Sequence, residues 1–146
     1  MYSIGQVSKM FDLPIPTLRY YDKEGLFRDL EREPSGIRKF NDQSIEALRV
    51  IECLKKSGMQ IKEIREFMDW CAQGDSTLEK RKEMFYQQRK EIKRQMEELQ
   101  KTLDMVEYKC WYYDTACEEG SEKDLKKDFE KRMPEAIRQC FENAHR

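Results

Sequence analysis

Apolar residues recur at helical spacing along most of the chain, and the breaks between runs mark several short elements followed by one long one. Ser3-Ile4-Gly5-Gln6 has the form of a capping box, and Ile4, Val7, Met10 and Phe11 give the first helix one apolar stripe. Asp12-Leu13-Pro14 ends it. A second short helix is predicted through Pro16-Thr17-Leu18-Arg19-Tyr20-Tyr21-Asp22, with proline admitted only in its first turn. Two short helices across a tight turn outline a helix-turn-helix. After Gly25-Leu26-Phe27, residues 28–40 set Pro34-Ser35-Gly36 between two short extended pieces. A hairpin at that place is the natural wing.

Asn41 is a good N-cap for a third helix that runs to about Ser57, turns Ile45, Leu48, Ile51 and Leu54 inward, and stops at Gly58. A fourth spans about Gln60 to Ala72, with Ile61, Ile64, Phe67 and Met68 inward and Gly74 at its end. Ser76 and Glu79 form another capping-box pattern, and no Gly or Pro occurs from Leu78 to Tyr113. Along that stretch Leu78, Phe85, Ile92, Leu99, Val106 and Tyr113 fill every heptad d position. Position a, which reads Asp75, Lys82, Arg89, Met96, Leu103 and Cys110, is apolar only in its second half. A helix of about 54 Å with one apolar seam wants a partner helix, most simply its twin, paired most tightly over residues 92–113. Beyond it, Gly120-Ser121 reads as a loop. Leu125, Phe129, Ile137 and Phe141 make an amphipathic helical segment interrupted by Pro134.

Composition agrees with extended helices. Charged residues are 39% and hydrophobic residues 38% of the 146, more charge than a single globular core carries. The net charge of −1 does not advertise nucleic-acid binding, and residues 1–60 hold ten Lys or Arg against nine Asp or Glu. Any DNA contact therefore rests on a few placed cations. Five cysteines with no CxxC pair, no apolar stretch near the roughly 20 residues of a membrane span, and no signal-peptide pattern point to a reduced, cytoplasmic setting. There is no Gly-rich phosphate loop, Ser/His/Asp set or HExxH, so neither an enzyme nor a cofactor is expected.

The block Thr17-Leu18-Arg19-Tyr20-Tyr21-Asp22-Lys23-Glu24-Gly25-Leu26 resembles the MerR family of transcriptional regulators. The match continues at Gly36-Ile37-Arg38-Lys39-Phe40 and at Leu54-Lys55-Lys56-Ser57-Gly58-Met59 followed by Ile61 to Ile64. The three blocks keep the family's order and spacing over residues 2–70, and the long helix sits where that family keeps its dimerising coil. The resemblance implies a mostly α protein in three parts: a winged helix-turn-helix DNA-binding domain over 1–74, a dimerising coiled-coil helix over 75–113, and a helical extension or effector region over 114–146. It also implies a homodimer on near-palindromic promoter DNA that reaches RNA polymerase indirectly, by bending and untwisting an over-long spacer. Two residues depart from the family pattern. Pro14 stands where Ser or Thr would cap the recognition helix, and Phe40 replaces the wing tyrosine.

In a helix-turn-helix the second helix enters the major groove while neighbouring groups clamp phosphates. Arg19 leads the candidates, since its guanidinium fork suits a base edge or a phosphate, and the hydroxyls of Thr17, Tyr20 and Tyr21 suit phosphates. Leu18 and one of the two tyrosines are alternatively core. Arg38 and Lys39 project from the wing, and Lys62 stands at the start of the fourth helix.

The stretch from Cys53 through Leu78 resembles the AdhR or NmlR branch, thiol-based regulators answering reactive aldehydes and nitrosative stress. Cys53 is thus the sensor candidate, with a half-buried structural thiol as the alternative. Arg49 and Lys56 flank it and favour a thiolate, whereas the helix C-terminal dipole opposes one.

Metal sensing within the same family is a rival, carried by Cys110 and Cys117. Soft metals want convergent thiolates, however, and Cys110 falls on the coil seam, so no metal ligand is assigned. A coiled-coil adaptor whose winged module binds protein is the rival from another class. Trp111, Tyr112 and Tyr113 either line a pocket or pack.

Overall fold

The computed structural model describes residues 1–28 and 30–146. Asp29, inside the predicted wing segment, lies outside them. Tertiary contacts divide the chain into two compact units, Met1–Arg89 and Lys90–Arg146.

In the first unit a two-residue strand, β1 (Tyr2–Ser3), precedes α1 (Ile4–Phe11). The predicted capping box is formed: the Gln6 N–H donates to Ser3 Oγ at 3.1 Å, and the Ser3 N–H donates to Gln6 Oε1 at 2.8 Å. Asp12 closes the helix with φ 53°, a left-handed value that a short polar side chain tolerates. Next comes α2 (Ile15–Lys23), with Pro14 at its N-cap and no side-chain cap. The wing is the hairpin of β2 (Glu31–Arg32) and β3 (Arg38–Phe40). Gly36, at φ 89°, makes its turn and donates to Glu33 O at 2.8 Å. The sheet order is β1-β3-β2, all antiparallel, with Tyr2 opposite Phe40 and Arg32 opposite Arg38.

Asn41 caps α3 (Asp42–Lys56) by accepting from the Ser44 N–H at 2.8 Å. At the start of α4 (Ile61–Gln73) the Gln60 N–H donates to Glu63 Oε1 at 3.2 Å. Val7, Leu18, Leu26, Phe40, Leu48, Ile51 and Ile64 are fully buried where these helices meet the sheet. At ~2 kcal/mol for each large apolar side chain, they are the main support of the unit.

The sequence places a Ser76–Glu79 capping box before the long helix. Instead the chain passes through a 3-10 turn, Gly74–Thr77, into α5 (Leu78–Glu119). Thr77, buried, closes that turn: its Oγ1 lies 2.9 Å from Gly74 O and 2.5 Å from Trp70 O. The long helix also runs past the predicted end at Tyr113, to the residue before Gly120. Near its start Phe85 stacks edge-on against Phe67, with ring centroids 5.4 Å apart.

In the second unit α5 is joined by α6 (Leu125–Arg132) and α7 (Glu135–Ala144), separated at Pro134 as the sequence predicts. Tyr108, Tyr112 and Ala116, four residues apart, form one buried stripe with Leu125 and Met133. Tyr108 is its hub, edge-on to Phe141 at 4.9 Å. Asp104, buried on the same side, accepts from Gln100 Nε2 at 3.0 Å and from Asn143 Nδ2. Tyr112 is therefore packing rather than pocket lining, and Tyr113 points outward.

Candidate nucleic-acid interface

The geometry of α2 divides its residues between two faces. Leu18 and Tyr21, three apart, are buried, at 0% and 1% exposure. Pro16, Arg19, Tyr20 and Lys23, at relative positions 0, 3, 4 and 7, form the exposed face. Arg19 and Tyr20 thus lie where the sequence places them, with Thr17 half-buried at the edge.

Tyr21 does not. Expected as a phosphate contact, it is a core side chain, because the three-residue spacing from Leu18 turns it inward. Its hydroxyl donates to Glu52 Oε1 at 2.8 Å and accepts from Lys55 Nζ at 2.8 Å. Burial pushes the Tyr21 hydroxyl above its ordinary pKa, while the bond from Lys55 works against that rise. The same hydrogen bond raises the Lys55 ammonium, which keeps it charged.

Lys55 was missed by sequence reasoning. It comes from α3, 34 residues after Tyr21, and no local pattern marks it. Together with Pro16, Thr17, Tyr20, Tyr21 and Ile61 it lines a hollow beside the first turn of α2. Lys62, exposed, is the next residue along α4. Lys23, on the outer face of α2, was also missed, though its spacing from Arg19 would have shown it.

The wing cations are less free than the sequence implies. Asp22, with a side chain only 8% exposed, receives Arg38 Nε at 2.6 Å and is paired with Arg32 as well. Arg38 therefore ties β3 to α2. Lys39, 42% exposed, pairs with Glu33 at 3.0 Å across the hairpin. Phe40 is fully buried, edge-on to Phe27 at 5.4 Å, so its lack of a hydroxyl removes nothing from the surface.

Cys53 is exposed on α3, and its carbonyl accepts from the Ser57 N–H at 3.1 Å. Ser57 Oγ in turn lies 2.7 Å from Leu54 O and 2.8 Å from Gln88 Oε1, at the joint between α3 and the start of α5. Arg49, expected beside Cys53, lies over the Phe11 ring at 5.5 Å and pairs with Glu46 at 3.8 Å. All five cysteines are free thiols. Cys110 and Cys117 are exposed, and among the described residues no group of three or more His, Cys, Asp or Glu gathers in a form that holds a metal. Among the same residues, no helix is long and apolar enough to cross a membrane.

A helix-turn-helix with an outward recognition face and a hairpin wing defines a class, and comparison with known proteins gives the family. Residues 2–70 match the MerR HTH family regulatory protein, and residues 45–107 match the description "MerR, DNA binding". An uncharacterized HTH-type transcriptional regulator of Haemophilus influenzae is 38% identical over 122 residues, which is 84% of this chain and 90% of that protein. The HTH-type transcriptional regulator AdhR of Bacillus subtilis is 34% identical over 90 residues, 62% of this chain and 64% of its own. The fold superposes on HiNmlR, a MerR family regulator lacking the sensor domain and bound to promoter DNA. There the TM-score is 0.76 and the identity 37%, covering 84% of this chain and 98% of that one. A MerR family regulator from Bacillus thuringiensis gives a TM-score of 0.69 at 41% identity, over 75% of this chain and 96% of that one. The chain belongs to the MerR family of DNA-binding transcriptional regulators and, like the family, is not an enzyme.

Proposed function

We propose that the protein acts in the cytoplasm as a homodimer on a near-palindromic promoter element, which it distorts when a thiol-reactive compound such as an aldehyde is present. The observation that carries DNA recognition is the outward face of α2, where Arg19 stands exposed over a buried Leu18–Tyr21 pair. Arg19 reads a base edge or a phosphate, and Tyr20 and Thr17 contact phosphates. Lys55 and Lys62 supply cations beside the hollow. Tyr21 serves indirectly, by holding Lys55 in place. Lys39 contacts the backbone from the wing, while Arg38 both holds the wing to α2 and borders the DNA.

Dimer formation is supported within the second unit. Ile92, Met96, Leu99, Leu103, Val106 and Tyr113 stay between 37% and 69% exposed along one stripe of α5, whereas the Tyr108–Tyr112–Ala116 stripe is covered by α6 and α7. A seam of six large apolar side chains left in water is what a second copy of the helix covers. HiNmlR, bound to promoter DNA, and AdhR are the relatives that favour this reading. RNA polymerase enters only through the reshaped promoter.

Cys53 is the proposed sensor, because it is exposed and its carbonyl accepts from the N–H of Ser57, whose hydroxyl meets Gln88 of α5. The test is permanganate footprinting of the promoter spacer, with and without a reactive aldehyde, for wild type and Cys53→Ala. Aldehyde-dependent reactivity that is lost in the variant supports the whole reading. Unchanged induction in Cys53→Ala removes the sensor assignment, and a spacer that never becomes reactive removes activation by distortion.

A further inference from the structure

We propose that Pro16 is a specificity determinant whose ring packs against the 5-methyl group of a thymine in each half of the operator. This rests on the reading that α2 enters the major groove. On the outer face of α2, Arg19, Tyr20 and Lys23 are long and polar, and Pro16 is the one apolar, inflexible member. Proline at 14 and at 16 removes two backbone donors from the first turn, and the Thr17 and Leu18 N–H groups are spent on Pro14 O at 3.0 and 3.4 Å. This helix end therefore lacks the cluster of N–H groups that holds a phosphate at other helix N-termini. It presents hydrocarbon instead.

Among the major-groove edges, adenine, guanine and cytosine offer hydrogen-bonding groups, and thymine alone adds a methyl. An exposed pyrrolidine ring with a fixed φ loses no side-chain freedom when it docks, so the contact is favourable despite its small area. Pro16 also walls the hollow that Lys55 lines, so a DNA phosphate drawn to the Lys55 ammonium would set the ring at the edge of the groove. Arg19 follows three residues later, about 4.5 Å along the helix axis. With base pairs about 3.4 Å apart, the thymine lies one or two pairs from the position Arg19 contacts.

The test uses the full chain and a promoter fragment that the wild-type protein selects from its source genome. Each thymine is replaced singly by deoxyuridine, which removes the methyl and keeps the base-pairing edge. Affinity is measured for wild type and Pro16→Ala, an exposed position where alanine is the best helix former. In the wild type one symmetric pair of thymines weakens binding on replacement, by about fourfold per half-site, the value for one buried methyl. Pro16→Ala binds the thymine and uracil versions of those sites equally. If every uracil effect is the same in both proteins, the Pro16 assignment is wrong while DNA recognition stands. If the wild type selects no fragment, the DNA reading falls and Pro16 falls with it.

Discussion

Tyr20 and Tyr21 are adjacent and chemically identical, yet removing the Tyr21 hydroxyl acts first on stability and removing the Tyr20 hydroxyl acts on binding alone. In Tyr21→Phe the ring stays in the core and no cavity opens, so the loss is confined to the hydroxyl. That group donates to Glu52 and accepts from Lys55, both at 2.8 Å. Hydrogen bonds to charged partners contribute about 1.5–3 kcal/mol each. Lys55 is exposed and Glu52 half-buried, so both regain water when the hydroxyl goes, and the net cost falls to about 1.5 kcal/mol. For a unit of this size about 1 kcal/mol moves Tm by roughly 4–8 °C, which predicts a drop of about 8 °C. Tyr20→Phe removes a surface hydroxyl and changes stability by less than about 0.5 kcal/mol. On the proposed reading it weakens promoter binding by roughly fivefold, the value of the one phosphate contact assigned to that hydroxyl. Thermal unfolding by circular dichroism reads the first effect and fluorescence anisotropy on labelled duplex reads the second. The Tyr21 hydroxyl is raised by burial, so its contribution is fully present below the ordinary tyrosine range and is lost only as pH rises through the raised value. The Tm difference is thus constant between about pH 6 and 9. If Tyr21→Phe kept its Tm and lost DNA affinity, while Tyr20→Phe did the reverse, the assignment of faces on α2 would be wrong.

Further outcomes follow from the same contacts. In the proposed dimer, Leu99→Glu removes about 2 kcal/mol of apolar burial from each chain, so dissociation becomes roughly 1000-fold easier, as analytical ultracentrifugation measures; an unchanged association would place the interface elsewhere. Asp22→Asn cuts the ties from Arg32 and Arg38, costs about 1 kcal/mol after allowance for their exposure, and loosens the wing, read as a lower Tm and weaker binding on every sequence tested. Bonds from Asn143 and Gln100 hold the Asp104 carboxyl below its ordinary value, so its contribution is present above the usual carboxylate range and lost as pH falls through the depressed value. Acid titration below the ordinary carboxylate range therefore loosens the tie between α5 and α7, seen as a change in Trp111 fluorescence that Asp104→Ala shows already at neutral pH.

Local chemistry explains which parts were legible in advance. The Ser3–Gln6 and Asn41 caps, the stop at Gly58 and the Gly36 turn are each decided within four residues, so their chemistry is visible in the chain itself. Strand β1 is two residues long and carries no periodicity; only its pairing with Phe40 and Lys39 makes it a strand. The three-residue spacing from Leu18 puts Tyr21 rather than Tyr20 in the core, but the partners of its hydroxyl, Glu52 and Lys55, come from another helix and leave no mark in the sequence of α2. Nothing in the sequence marks Asp22 as an anchor, because Arg32 and Arg38 reach it only once the wing folds back. The aromatic run at 111–113 read as a helix end, but no residue before Gly120 breaks the helix. Arg19 and Lys62 were thus legible as exposed cations, whereas Lys55 and the contacts that tie down Arg38 and Lys39 were not.

The central claim is that α2 reads promoter DNA with Arg19 at its centre. Selection of bound fragments from the source genome, with wild type beside Arg19→Ala, tests it most directly. The account predicts that the wild type recovers a near-palindromic promoter element which the variant fails to recover. Weak, uniform recovery that is the same in both proteins would contradict it.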